Sequence, residues 1–133
     1  MINQAYALNS YTQARAVTAI DPLELIVMLY DGAIDSLEKS VEAINRKDIP
    51  AKLKNIDKTL AILEELEGSL NMEAGGRVSE NLQQLYQYIM KELVAANLKN
   101  DQLRIRKAIN LLEDLRGMFD KKALPAVSVM RAS

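Results

Sequence analysis

Neither cysteine nor histidine occurs among the 133 residues of this chain. Without cysteine there is no disulfide framework and no thiolate nucleophile, and a reducing compartment is the simplest setting. Without histidine as well, a zinc site, a Ser–His or Cys–His pair and a Glu-x-x-His di-iron bundle all lack their parts. Glycine (5), proline (3) and aromatic residues (5%) are also scarce. Long helix-favouring side chains fill the space these leave, which is an all-α composition. The length suits one domain with one core.

An excess of either charge is missing too. Seventeen basic and 18 acidic side chains give a formal net charge of −1, which argues against a nucleic-acid partner. The longest near-unbroken apolar run, residues 25–30, falls far short of the ~20 residues of a membrane span. Met1-Ile2-Asn3-Gln4 lacks the basic start and apolar core of a signal peptide. The expectation is a cytoplasmic protein that inserts in no membrane.

What is present is helix. Asp21 and Pro22 suit the cap and first position of a helix, and Glu24 sits where a capping box wants an acid. From there Leu23, Ile26, Tyr30, Ala33, Leu37 and Ile44 follow the three–four spacing of a bundle seam to about residue 46, widened by Val27, Ile34 and Val41. Leu25, Met28 and Leu29 lie off that seam, so this helix is apolar on more faces than one core contact needs.

A second helix is predicted over residues 50–69, with Ile49, Leu53, Ile56, Leu60, Leu63 and Leu70 toward the core. Its Lys52, Lys54, Asp57, Lys58, Glu64, Glu65 and Glu67 read as a solvated face. Gly75-Gly76 marks a break that serves backbone geometry. The third helix should start near Val78 or Ser79, with Ser79 able to cap it, and run to about Leu98. Its seam is Val78, Leu82, Leu85, Ile89 and Ala96, with Tyr86, Met90, Leu93 and Val94 beside it. Asn100-Asp101 then supplies a turn and a cap. A fourth helix over residues 102–121 places Ile105, Ala108, Leu112, Leu115 and Phe119 on one face, and its cluster Arg104, Arg106, Lys107 reads as solvated. The fold predicted is all-α: an antiparallel four-helix bundle over residues 21–122, a partly ordered N-terminal segment over 1–20, and a frayed tail over 123–133.

Three blocks then resemble one family. They are Pro22-Leu23-Glu24-Leu25-Ile26-Val27-Met28-Leu29-Tyr30-Asp31-Gly32; Ser69-Leu70-Asn71 with Gly75-Gly76 and Asn81-Leu82-Gln83-Gln84-Leu85-Tyr86-Gln87-Tyr88; and Leu93-Val94-Ala95-Ala96-Asn97-Leu98-Lys99-Asn100-Asp101. Their order and spacing resemble the flagellar secretion chaperone FliS family. The resemblance implies an all-helical, non-enzymatic protein without a cofactor. Such a protein holds the disordered C-terminal segment of flagellin in the cytoplasm, prevents its premature polymerisation and delivers it to the flagellar export gate. It also implies that the N-terminal segment covers part of the client groove in the free protein. Tyr6, Leu8, Tyr11, Val17 and Ile20 are its candidate contacts. The family tyrosine of that segment matches Tyr11 by distance and Tyr6 by its Gln4-Ala5-Tyr6 context.

The candidate client-binding residues are Leu25, Met28, Leu29, Tyr86, Met90, Leu93, Asn97, Leu98, Asn100 and Asp101. The three from the first helix are its surplus apolar groups, and without the resemblance a wider core would explain them. Asn97, Asn100 and Asp101 could meet client backbone, since a captured extended peptide needs partners for its N–H and C=O groups, although turn and cap chemistry also explains them. Two rival readings are a small enzyme holding a dianion with inward cations, which the seams lack, and an adaptor whose surplus apolar surface is a homodimer face.

Overall fold

Each long helix starts on an Asx side chain that caps its free N–H groups. The structure, a computed structural model, describes residues 21–131. Asp21 Oδ1 accepts from Leu23 N at 3.0 Å to open α1, Pro22–Asn45. Asp48 accepts from Ala51 N to open α2, Ile49–Gly68, with Pro50 in its first turn. Asn71 accepts from Ala74 N to open α3, Met72–Lys99, and Asp101 accepts from Arg104 N to open α4, Gln102–Asp120. Asn100 ends α3 in the left-handed region (φ 50, ψ 43), a conformation Asn tolerates.

The four helices form an antiparallel bundle in which α1 packs on α2 and α4, and α3 packs on the same two. The α1–α2 contact is the most extensive because small groups line it. Ala33, Ser36, Ser40 and Ala43 are buried, and a Cβ built on Gly32 would lie 3.3 Å from Ile62 Cδ1. The buried hydroxyls give their protons to backbone oxygens, Ser36 to Gly32 and Ser40 to Leu37.

On the diagonal, α1 and α3 meet through Tyr30 and Tyr86, both fully buried, whose hydroxyls lie 2.6 Å apart. Phe119 of α4 closes the cluster, 5.7 Å from the Tyr30 ring. Burial pushes both phenols well above their usual range, and the hydrogen bond they share offsets this in part at Tyr86. Above pH 10 the unfolded chain therefore releases protons that the native state keeps, and stability falls as pH rises. The expected loss is about 1.4 kcal/mol per pH unit for each buried tyrosine. Urea unfolding should show almost no tyrosine-linked change between about pH 8 and 9 and this slope from about pH 10 upward, and Tyr30→Phe with Tyr86→Phe should flatten it.

Three expectations need correction. The third helix is two pieces joined at a kink: a first turn from Met72, capped by Asn71, and a long piece that starts directly after Gly76, close to the expected Val78; Ser79 does not cap it but is buried and donates to Asn71 O at 2.8 Å. The expected break is real but lies one turn in, where Gly76 takes φ 50, ψ −129. The tail is not frayed over 126–131. Ala126–Val129 forms a short helix, α5, and Met130 makes an antiparallel bridge with Leu70. Asn71 N–H donates to Val129 O and Arg131 N–H to Ser69 O, each at 2.7 Å, while Val129 and Met130 enter the core. Finally, Ile49 and Leu53 leave the core (44% and 40% exposed), while Lys52, expected in solvent, is 5% exposed. The α2 core face is Lys52, Ile56, Thr59, Ile62, Leu63 and Leu66, rotated from the Ile49–Leu53–Leu60 row.

Candidate functional site

Two contacts fix which side of α3 faces α2. Gln87 Nε2 donates to Glu67 Oε2 at 2.7 Å, and Lys52 Nζ donates to Asn97 O at 2.9 Å and to Asn100 Oδ1 at 2.5 Å. Met90, Val94 and Leu98 follow Gln87 about one, two and three turns on, so they share its side of the helix. On α2, Leu60, Leu53 and Ile49 precede Glu67 at whole-turn spacings and share its side.

The two rows flank a groove between α2 and α3. Leu60 and Met90 are partly buried against the core, while Ile49, Leu53, Val94 (52% exposed) and Leu98 (79% exposed) stand above them. The Glu67–Gln87 bond spans the same groove further along, so its apolar part lies toward the α1–α2 and α3–α4 turns. An open depression of about 670 Å³ continues over α3, lined by Gln84, Gln87, Tyr88, Met90, Lys91 and Val94. Isolated exposed apolar residues are ordinary; a row on each side of one groove is not.

The sequence-predicted residues divide on this geometry. Met90 and Leu98 belong to the groove. Asn97 and Asn100 sit at its end, with Asn97 O and Asn100 Oδ1 both accepting from Lys52. Asp101 caps α4 and pairs with Arg104 at 3.2 Å, so its carboxylate is engaged in turn chemistry. Tyr86 and Leu93 are fully buried and are corrected to core residues: the Tyr86 hydroxyl meets Tyr30, and neither side chain has surface to offer a partner.

Leu25, Met28 and Leu29 form a separate group. Leu25 and Met28 lie on the same side of α1 as Gly32, which faces Ile62 of α2. Both are half-buried, and Leu29 packs against the core. Tyr30 and Tyr86 share one level of the bundle, so Leu25 and Leu98 stand about 25 Å apart along its axis. The structure therefore does not bring the first-helix group to the α2–α3 groove; the two lie on opposite sides of α2. Tyr6, Leu8, Tyr11, Val17 and Ile20 lie outside the described residues.

Sequence reasoning missed Ile49, Leu53, Val94 and Lys52 as groove residues. The available signal was a second apolar row on α2, Ile56–Ile62–Leu63–Leu66, which competes with Ile49–Leu53–Leu60 for the core. Among the described residues, no three His, Cys, Asp or Glu side chains gather as metal ligands would. No helix of the described residues is long and apolar enough to cross a membrane.

The family model described as flagellar protein FliS matches residues 2–125. A Salmonella typhimurium protein named flagellar secretion chaperone FliS is 33% identical over 115 residues, covering 84% of this chain and 85% of the relative. The Campylobacter jejuni protein of the same name is 36% identical over 109 residues, 82% and 84% of the two chains. The Vibrio cholerae one is 31% identical over 105 residues, 79% and 77%.

Proposed function

The chain belongs to the FliS family of flagellar proteins, and from that premise we propose that it is a cytoplasmic chaperone for the C-terminal segment of flagellin. It acts by binding alone. It keeps the segment from polymerising early and presents it to the flagellar export gate. The observation that carries this reading is the α2–α3 groove, where Ile49, Leu53, Val94 and Leu98 hold apolar surface in water that a client would cover.

Ordering a disordered segment on binding costs roughly 2–5 kcal/mol of the gross interaction energy. Burying a Leu or Val side chain completely is worth about 1.5–3 kcal/mol, so four partly exposed groups on two rails can offset that cost. Leu25 and Met28 make a second contact on the other side of α2. A client that reaches both patches must be extended, because they are far apart along the bundle axis.

Titration calorimetry of the full chain with the flagellin C-terminal segment tests the reading. One site without added metal, a one-to-one complex by light scattering and a negative heat-capacity change are expected, the last from apolar burial. No heat and no complex at tens of micromolar protein would end the chaperone reading. A stable homodimer that the segment fails to dissociate would favour the adaptor instead.

A further inference from the structure

Granting the α2–α3 groove to the client as proposed above, we infer that Lys52 is the positioning residue that sets the groove's width at its apolar end. Lys52 is 5% exposed, and its ammonium donates to Asn97 O at 2.9 Å and Asn100 Oδ1 at 2.5 Å. The acceptors are a carbonyl of the last turn of α3 and the side chain of its C-cap, Asn100, where free carbonyls and the negative end of the helix dipole favour a cation. Lys52 is followed directly by Leu53, and Asn97 by Leu98. One hydrogen bond thus joins the residues that carry the two rims, and it fixes how far apart the rims stand.

Stability alone does not account for this arrangement. Taking an ammonium out of water is costly, and an apolar side chain of similar size in such a place is often neutral or better for the fold. Asn97 adds a second liability: its Oδ1 is buried with no hydrogen-bond partner among the described residues. Two local rules are broken at one cross-helix contact, beside the most exposed apolar side chain of the groove, Leu98. Such coincidences mark places where geometry serves something other than stability. A Lys also covers apolar surface with its stem while its head bonds to the helix end, which Leu or Met cannot do.

Two variants of the full chain test the assignment, with the flagellin C-terminal segment as titrant. Lys52→Met should keep the melting temperature within a few degrees of wild type or raise it. It should weaken segment binding tenfold or more, and backbone amides over residues 98–101 should exchange faster because the turn has lost its tether. Asn100→Gly keeps the left-handed backbone at φ 50 but removes one acceptor, and should weaken binding about threefold with the fold unchanged. If Lys52→Met fails to fold, Asn100→Gly decides. Wild-type affinity in the folded variants overturns the inference alone. An affinity loss fully explained by a lower folded fraction overturns it too, since Lys52 would then be a structural residue. A wild-type chain that does not bind the segment overturns the groove reading and this inference with it.

Discussion

Glutamate at both Val94 and Leu98 is expected to abolish binding of the flagellin C-terminal segment while the bundle melts within a few degrees of wild type. The fold should tolerate the change because the two side chains are 52% and 79% exposed and cover little of the core. In a complex that fills the groove, each would be buried. Losing that burial costs about 1.5–3 kcal/mol per residue, and an unpaired carboxylate placed against apolar client surface costs more. The sum corresponds to a loss of roughly a hundredfold or greater in affinity. Val127→Glu is the control. Val127 is 78% exposed on α5, beside the start of α3 and away from the apolar end of the groove, so its substitution should leave affinity unchanged. Wild-type binding by the double variant would remove the α2–α3 groove as the client site. Equal losses from Val127→Glu would show that added negative charge, and not the groove, governs binding.

How much of this was legible depends on how local the determinant is. Helix starts at Pro22 and Gln102 were readable because an Asp cap writes each into neighbouring residues, and the second start was readable to within one residue from the Pro50 of its first turn. The fourth-helix face Ile105, Ala108, Leu112, Leu115 and Phe119 is buried as its spacing predicts, since α4 carries one apolar stripe. Reading α2 was harder because it carries two apolar rows. Periodicity cannot say which row a bundle will cover, and a buried Lys disguises the covered one. Asn71 was overlooked as a cap because Gly75-Gly76 looked like the end of a loop, whereas the chain makes a helical turn before Gly76 breaks it.

The candidate site was half legible for the same reason. Leu98 and Met90 lie at the groove, but Tyr86 and Leu93, each about one turn from Met90, point into the core. A helix with apolar groups on two sides announces a partner without saying which side the partner takes. Only the cross-helix bonds Glu67–Gln87 and Lys52–Asn97 separate the sides. The C-terminal strap was not legible at all, because its partner, Leu70, lies 60 residues away in sequence. Local propensity contains no term for such a contact.

Removing that strap should be the most destabilising small deletion available to the described part of the chain. A chain ending at Leu124 loses Val129 and Met130, which are 0% and 4% exposed, together with the bonds between Asn71 and Val129 and between Arg131 and Ser69. Two large apolar groups at about 1.5–3 kcal/mol each give a loss of roughly 3–6 kcal/mol. That is a large share of the 5–15 kcal/mol typical of a domain. Leu70 would also lose its cover, and the Ser79 hydroxyl, 3.4 Å from Val129 O, would keep only Asn71 O. Gly75→Ala tests the same junction without cutting the chain. A Cβ at Gly75 would run into Ser79 Oγ and lie 2.9 Å from Ser79 Cβ and 3.3 Å from Val129 Cα. Ser79 would have to turn away from its buried acceptors, and the strap would have to lift. Overpacking of this kind costs about 1–3 kcal/mol, against at most about 1 kcal/mol gained from Ala's helix propensity. The expected outcome is a lowered urea midpoint for both variants, larger for the truncation. In the alanine variant, faster amide exchange at Asn71 and Arg131 should accompany it. A truncated chain as stable as the full one would show that the strap rests on the bundle without holding it.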